Sequence, residues 1–353
     1  MLVTRRRGIA LLATLLAGSG VAGLLSGCAS GAQSSTGGPS TTGREVSEVR
    51  ITRQYGLGYL PLVVMESQGL IEAEGKAAGL PPIQVSWSTL GSGAASTDAL
   101  FSGSVDFTGV GVAPAITLWD KTRGEVKALA ALGEAPMVLN VNRAGVKSIR
   151  DLTEKDRIAL PAAKVSIQAV VLQMAAAKEF GESQSGKLDP LTVSMKHPDA
   201  MAALLSGGSE ITGHLTQEPF ATLERRHPGV HTILNSFDLL GGPHTHVLLC
   251  ATRAFHDANP RTTAAVLAAL RKAVAFIQKN PEAAAELYVK SAGGKENPQE
   301  VLAEIQGGQT TYHLAPQRLT AFTDFMQRTG AIKTRPADWK ELFFPEIGSE
   351  AGS

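Results

Sequence analysis

The sequence predicts an α/β protein with two lobes, each a mostly parallel sheet flanked by helices, and three observations support this prediction. Strand-like and helix-like apolar patterns alternate from about residue 46 onward, an order that gives parallel strands covered by helices. Turns rich in small residues recur where a strand ends and a helix begins. The chain beyond its first 45 residues, roughly 305 residues, is long enough for two separate hydrophobic cores.

Composition excludes several classes of partner. The 353 residues carry a net charge of +1, and aromatic residues make up 5% of the chain. Without a long basic or acidic block, the sequence does not predict binding to nucleic acid or to a polyanion. The two cysteines are Cys28, which lies in an N-terminal export segment, and Cys250, which lies in an apolar run where a small buried thiol is expected. We therefore predict no intramolecular disulfide.

The N-terminus has the features of an export signal. Three arginines at positions 5–7 precede the apolar stretch Ile9–Leu25, which is short and contains glycines, as in a signal peptide rather than a membrane span. The string Leu25-Ser26-Gly27-Cys28 resembles a bacterial lipobox, which implies cleavage after residue 27 and lipidation of Cys28. The alternative is an ordinary signal peptide with a chance cysteine, and the sequence leaves both Sec and twin-arginine export open.

Residues 28–45 are predicted to be a flexible tether. They consist largely of Gly, Ser, Thr and Ala, which cannot bury a core. A signal peptide over 1–27 and a tether over 28–45 together describe an exported protein, periplasmic or at the cell surface, held to the membrane by lipid on Cys28.

The alternating elements follow in order from residue 46. The predicted strands are Val49–Gln54, Ile83–Thr89, Val105–Gly109, Val126–Leu132, Arg157–Leu160, Leu191–Lys196, Glu210–Leu215, Val230–Leu234 and Val247–Ala251. The predicted helices between them are Leu60–Gln68, Ala94–Ser102, Pro114–Trp119, Ser166–Lys178, Asp199–Leu205 and Pro219–Arg226.

The C-terminal third is predicted to be helical. Three helices are expected to start at Asn259-Pro260, Asn280-Pro281 and Asn297-Pro298, because each pair places a capping residue before a proline at the first helical position. A further helix is predicted over Ala315–Arg328.

We expect two lobes from this pattern. Lobe one combines residues 46–137 with 252–353, and lobe two spans 141–245. The apolar runs Met137–Val141 and Val247–Ala251 are the predicted crossings between them.

The turns after the strands carry the predicted chemistry. In open parallel sheets, ligands bind beyond the carboxyl ends of the strands, where helix N-termini expose unpaired N–H groups that favour anions. The turns in question are Gly56–Pro61, Gly91–Ala95, Gly109–Pro114 and Pro161–Ser166. Each alone is ordinary turn chemistry, and their recurrence is what predicts a site. None matches a phosphate-binding loop or a dinucleotide fingerprint.

An ordered set of motifs resembles the nitrate/sulfonate/taurine family of ABC-transporter substrate-binding proteins. The motifs are Gly58-Tyr59-Leu60-Pro61, Gly91-Ser92-Gly93-Ala94, Leu100 to Phe107, Gly109 to Pro114, Met201 to Gly207 and Glu218-Pro219-Phe220. The resemblance covers about residues 48–290. It implies a periplasmic-binding protein type II fold, in which two lobes joined by two hinge crossings close on a ligand.

The resemblance also implies the ligand-contacting residues and the function. The implied contacts are Tyr59, Ser92, Gly93, Val112, Ala113, Lys164, Ser166, Gln168, Thr216 and Glu218. The implied role is the substrate-binding component of an ABC importer, a monomer that captures a small polar or anionic solute and delivers it to the permease and ATPase of the same system. No cofactor is implied. No arginine falls in these turns, so anion binding would depend on helix ends, hydroxyl groups and Lys164.

Several alternatives stay open at this point. The same cleft would serve a membrane sensor or a binder of pyrimidine thiamine precursors. Glu218 either binds a ligand amine or interacts with the N-terminus of its own helix, and Lys164 is either a ligand contact or solvated. His197, His214, His244 and His246 are interpreted as unrelated surface and hinge residues rather than metal ligands.

An enzymatic function is not predicted. The sequence contains no Gly-x-Ser-x-Gly elbow. The pyrimidine-precursor synthases that share this fold carry a cysteine-rich iron-binding run, and this chain has none.

Overall fold

The computed structural model describes residues 45–294, 296–307 and 309–353. The predicted signal peptide, the lipidated Cys28 and all but the last residue of the predicted tether lie outside the described residues. Within the described ranges, no helix is both long enough and apolar enough to cross a membrane.

The strands of the described chain form two five-stranded sheets. They are β1 (Glu48–Arg53), β2 (Gln84–Thr89), β3 (Phe107–Gly111), β4 (Val126–Glu134), β5 (Val138–Val141), β6 (Ile158–Leu160), β7 (Thr192–Ser194), β8 (Gly213–Thr216), β9 (His231–Asn235) and β10 (Thr245–Thr252). The first sheet has the order β2-β1-β3-β10-β4 and the second the order β7-β6-β8-β5-β9. The α/β class with mostly parallel sheets is therefore confirmed.

Each sheet contains one strand that runs against the others. β10 pairs antiparallel with β3 and β4, and β5 pairs antiparallel with β8 and β9. These are the two strands that the chain enters directly after passing from one sheet to the other. A chain that arrives from the opposite sheet enters at the edge where the parallel strands end, so it has to run the other way.

Helices connect the strands and fill the C-terminal third. They are α1 (Leu60–Gln68), α2 (Leu70–Ala77), α3 (Gly93–Phe101), α4 (Val112–Lys121), α5 (Ile167–Phe180), α6 (His197–Leu205), α7 (Phe220–Arg225), α8 (Ser236–Leu240), α9 (Arg253–Ala258), α10 (Pro260–Lys279), α11 (Pro281–Ser291), α12 (Pro298–Gln306) and α13 (Leu319–Arg328).

The three Asn-Pro pairs mark helix starts, as predicted, but only one asparagine acts as a side-chain cap. Asn297 Oδ1 accepts from the Gln299 amide at 2.9 Å. Asn259 instead accepts from the Val46 amide at 3.0 Å, which ties the helix start to the beginning of the first lobe.

The predicted crossings were wrong in position. Val247–Ala251 pairs along its length with β3, and most of Met137–Val141 forms β5 of the second sheet. The chain passes between the sheets at residues 135–137 and again within 236–244, next to those strands. An apolar run shows that a segment is buried, but it does not distinguish a central strand from a crossing.

Ser236 joins the two crossings. Its amide donates to the Met137 carbonyl at 2.9 Å, its hydroxyl accepts from the Met137 amide at 2.8 Å, and His244 Nε2 lies 2.9 Å from the same hydroxyl. The crossings therefore lie side by side, which is the arrangement that a hinge between two lobes requires.

Cys250 is a buried, unpaired thiol in β10. It is 2% exposed, and burial raises the pKa of the thiol to about 12. The expectation of a small buried thiol is confirmed.

Asp106 ties the starts of β1 and β3 together, and its loss should destabilise the first sheet. The carboxylate accepts from the Arg50 amide at 2.8 Å, from Nε at 3.1 Å and from Nη2 at 2.7 Å. The Asp106 side chain is only 10% exposed. We expect Asp106→Ala to lower the free energy of unfolding by about 2 kcal/mol in urea titrations, because it leaves charged and backbone donors without their acceptor.

Asp324→Ala is the matched control. Asp324 pairs with Arg335 through side chains that are 40% and 43% exposed, so its removal should cost about 0.5 kcal/mol or less. Equal losses for the two variants would contradict the role given to Asp106.

Candidate functional site

The ends of the parallel strands in the two sheets face each other across a narrow gap. The first sheet and its following turns contribute Gln54, Tyr59, Gly93, Gly111 and Pro114, and β10 contributes His246. The second sheet and its turns contribute Pro161, Ser166, Ile167, Gln168, His197 and Gln217. The four small-residue turns that the sequence predicted as a site therefore converge on one place.

Direct hydrogen bonds hold the two sides of the gap together. The Leu57 amide donates to the Glu218 carbonyl at 2.8 Å, and Gln217 Nε2 donates to the Tyr55 carbonyl at 2.9 Å. The open volume inside the gap is about 10 Å³, which holds about one water molecule. A larger solute can enter only if the two sides move apart.

Two buried polar atoms in the gap have no hydrogen-bond partner among the described residues. They are Gln217 Oε1 and His246 Nδ1, on residues that are 2% and 1% exposed. Both lie against Gly58, where an added Cβ would be 2.5 Å from His246 Nδ1 and 3.1 Å from Gln217 Oε1. Because leaving such atoms unsatisfied is costly, this corner of the gap is suited to a water molecule or ligand group that donates a hydrogen bond to Gln217 Oε1, which can only accept.

Helix ends supply the electrostatic character of the gap. Helices α3, α4 and α5 all begin at its edge, so their N-terminal dipoles favour negative charge. Ser166 caps α5 by accepting from the Ala169 amide at 3.2 Å.

The side chains that line the gap add no fixed positive charge. Within the part of the chain that the structure describes, no Lys or Arg is among the lining residues. Burial lowers the pKa of His246 to about 3 and lowers that of His197 well below its usual value, so both rings are neutral at pH 7.

Four of the ten residues predicted from the sequence line the gap: Tyr59, Gly93, Ser166 and Gln168. The Tyr59 ring meets His246 edge-on at 6.2 Å, and burial raises the pKa of its hydroxyl. Gly93 begins α3, and an added Cβ would lie 2.9 Å from Pro114. Gln168 Nε2 lies 3.4 Å from His197 Nε2.

The other predicted residues lie close to the gap without lining it. Ser92 caps α3 by accepting from the Ala95 amide at 3.3 Å. Val112 and Ala113 are fully buried in the first turn of α4. Lys164 is exposed, in a left-handed turn with φ 68°. This position agrees with the alternative in which Lys164 is solvated and does not contact the ligand.

Thr216 and Glu218 serve the turn between β8 and α7. Thr216 Oγ1 is buried 3.4 Å from His197 Nδ1. Glu218 accepts from the Thr222 amide at 3.0 Å and from Arg225 at 3.2 Å. The carboxylate therefore interacts with the start of its own helix, and burial raises its pKa.

The interpretation of the histidines as surface and hinge residues was wrong about the surface, whereas His244 does lie in the second crossing, against Ser236. His197, His214, His244 and His246 are between 0% and 4% exposed, and His197 Nδ1 lies 2.8 Å from His214 Nε2. The second sheet and its helices bury His197 and His214, while the second crossing and β10 of the first sheet bury His244 and His246. No local pattern reveals the contact between His197 and His214. Across the described ranges, no group of His, Cys, Asp and Glu side chains has a geometry suited to holding a metal ion.

A larger cavity of about 840 Å³ adjoins the gap, and sequence reasoning did not find it. Gln54 lines both spaces. Both sheets' elements contribute to the cavity wall, among them Tyr55 and Tyr288 from one side and Met201 and Phe220 from the other. Its largely apolar wall can accept the remainder of a ligand whose polar group lies in the gap.

Comparison with known proteins gives a consistent family and fold. A family model described as the NMT1-like family matches residues 43–290. No curated protein matches the chain.

Solved structures of three binding proteins resemble the chain. The alkanesulfonate-binding protein of Xanthomonas axonopodis, bound to MOPS, is 18% identical with a TM-score of 0.66, over 83% of this chain and 95% of that one. The periplasmic aliphatic sulphonate-binding protein of Escherichia coli is 19% identical with a TM-score of 0.61, over 85% and 92%. The periplasmic nitrate-binding protein of Synechocystis is 15% identical with a TM-score of 0.62, over 84% of each chain. At these identities the similarity establishes the fold.

Proposed function

Because the chain belongs to the NMT1-like family, we propose that it is the substrate-binding component of an ABC importer. It captures a small polar or anionic solute between its two lobes and delivers the solute to a permease. The observation that carries the proposal is the gap itself, where strand-end turns from both sheets meet around two buried polar atoms without partners. The structural similarity to sulfonate- and nitrate-binding proteins supports it.

The proposal extends to the motion of the lobes, the location of the protein and its partners. Lobe two moves relative to lobe one about the crossings that Ser236 joins. The protein works as an exported monomer, periplasmic or at the cell surface, anchored by lipid on Cys28. Its partners are the permease and the ATPase of the same system.

The function is tested by ligand binding and by uptake. Thermal unfolding is followed with nitrate, bicarbonate, taurine, alkanesulfonates of increasing chain length, carboxylates and pyrimidines. A true ligand at a hundredfold excess over its Kd stabilises the protein by about 2.7 kcal/mol, which should raise Tm by about 5 °C or more. Deletion of the protein should abolish uptake of the same solute by cells.

Two results would contradict the proposal. One is stabilisation by none of these solutes, and the other is chemical conversion of the solute by the purified protein. If the purified protein binds the solute but the deletion strain still takes it up, the result would instead favour a sensor module.

A further inference from the structure

A fully buried chain of hydrogen bonds runs from the gap into lobe two. His197 Nδ1 lies 2.8 Å from His214 Nε2, and His214 Nδ1 lies 2.5 Å from Glu224 Oε1. We call His197, His214 and Glu224 the carboxylate–histidine chain. All three are at most 4% exposed, and only His197 reaches the gap.

The carboxylate–histidine chain transmits the protonation state of Glu224 to the gap. While both imidazoles are neutral, each ring donates through one nitrogen and accepts through the other, so the two links point the same way. With Glu224 ionised, His214 donates to the carboxylate, His197 donates to His214, and His197 Nε2 faces the gap without a proton. With one more proton on Glu224 Oε1, both links reverse; with that proton on His214 instead, only the His214–His197 link reverses. In both cases His197 Nε2 carries an N–H.

The surroundings of Glu224 restrict where that proton can lie. Asn140 Nδ2 donates to Glu224 Oε2 at 2.9 Å, and Asn140 Oδ1 is held by Thr232 Oγ1 at 2.6 Å. Oε2 is thereby kept as an acceptor, and the proton belongs on the side of His214. The nearby charged group is Arg225, whose guanidinium binds Glu218.

The surroundings of His197, at the gap end of the carboxylate–histidine chain, tolerate either polarity. Gln168 Nε2 lies 3.4 Å from His197 Nε2, and rotation of that amide would present its oxygen instead. On the far side, Thr216 Oγ1 lies 3.4 Å from His197 Nδ1, and the Phe220 ring stacks on the imidazole at 5.4 Å. Across the gap the titratable residues are His246 and Tyr59, and both are neutral at pH 7 because burial lowers the pKa of His246 and raises that of Tyr59.

We propose that the carboxylate–histidine chain makes solute binding proton-linked, so that the site takes a monoanion together with one proton. An anionic oxygen needs a donor, and His197 Nε2–H is a donor only in the proton-loaded form. The proton also compensates a charge that no Lys or Arg among the described lining residues balances. This inference rests on the proposed function for the identity of the site, but the proton chain is testable without any ligand.

The pH range follows from the burial of Glu224, which raises the pKa of its carboxyl to about 8. Below about pH 8 the chain already carries its proton, so anion affinity should be constant. Above it, binding has to take up one proton, and affinity should fall about tenfold per pH unit. A ligand that donates to His197 would show the opposite slope.

The direct experiment is ¹⁵N NMR of histidine-labelled, ligand-free protein between pH 6 and pH 10. We expect His197 Nε2 to change from protonated to unprotonated near pH 8, with His214 changing in concert. In Glu224→Gln, the amide oxygen faces Asn140 and the amide NH₂ donates to His214, so His197 Nε2–H should persist at every pH. An unchanged His197 tautomer in the wild-type protein would overturn the proposal whether or not the variant folds.

The binding arm uses calorimetry with methanesulfonate and nitrate between pH 7 and pH 9.5. The wild-type protein and the control Glu210→Gln, an exposed carboxylate of the same lobe, should lose affinity above about pH 8, whereas Glu224→Gln should not. The same slope in Glu224→Gln overturns the role of the chain. An affinity that rises with pH overturns the anion assignment. Absence of binding to every solute tested contradicts the proposed function. The NMR result separately shows whether the carboxylate–histidine chain carries the proton to His197.

Discussion

A valine at position 111 should hold the two lobes apart and lower solute affinity by about 100-fold or more. Gly111 ends β3, and an added Cβ would lie 2.8 Å from Ile167 Cγ2 and 3.1 Å from Ile167 Cβ, across the gap. Ile167 Cβ is fixed by the backbone of α5, so rotation of the side chain does not remove the contact. The backbone of Gly111, with φ −57°, is open to valine without strain. The clash is therefore relieved by separating the lobes, which removes the closed state that binds the solute.

The measurements are calorimetry with the solute that stabilises the wild-type protein and small-angle scattering of the free protein. Gly111→Val should show a larger radius of gyration with a free energy of unfolding within about 1 kcal/mol of wild type. Gly145→Val is the matched control, because nothing lies within 4 Å of its added Cβ. Wild-type affinity in Gly111→Val would show that closure across this contact is not needed for binding.

Local sequence patterns predicted the elements of the fold well, because each carries its own signal. Apolar alternation marked the strands, and Pro260, Pro281 and Pro298 marked helix starts through a preference that depends on neighbouring residues alone. The same patterns misplaced the crossing at Val247–Ala251. A central strand that is buried on both faces and a buried segment that passes between lobes both appear in the sequence as one apolar run, so the pattern does not distinguish them.

The site was predictable only where it consists of backbone turns. Gly93 and Ser166 follow strands directly, and the rule that ligands bind beyond strand ends locates them. The place of His246 in the site was not predicted, nor was the contact of Gln217 within the predicted turn at 216–218, because both depend on contacts between distant parts of the chain. Gln217 reaches the Tyr55 carbonyl across 162 positions, a pairing that only the packed sheets create.

The largest loss of stability is expected from Gly133→Ala. Gly133 has φ +132°, a region that residues with a side chain rarely adopt. An added Cβ would lie 1.9 Å from the carbonyl oxygen of Thr311 and 2.9 Å from Tyr312 Cα. Because these are backbone atoms, no side-chain rotation relieves the contact.

The segment that would have to move is held on both sides of the clash. Glu134 and Thr311 exchange backbone hydrogen bonds of 2.9 and 3.0 Å, and the Ala131 amide donates to the Leu314 carbonyl at 3.0 Å. We therefore expect Gly133→Ala to lower the free energy of unfolding by about 3 kcal/mol or more in denaturant titrations. Tm should fall by about 6 °C or more.

Gly103→Ala separates the two contributions to that loss. Gly103 also has a left-handed backbone, with φ +71°, but nothing lies within 4 Å of its added Cβ. It should therefore cost only the backbone strain, about 1 kcal/mol. The excess loss in Gly133→Ala then measures how firmly the 311–314 segment is attached to β4, close to the first crossing at 135–137. Similar losses in the two variants would mean that this segment yields easily and does not brace the hinge.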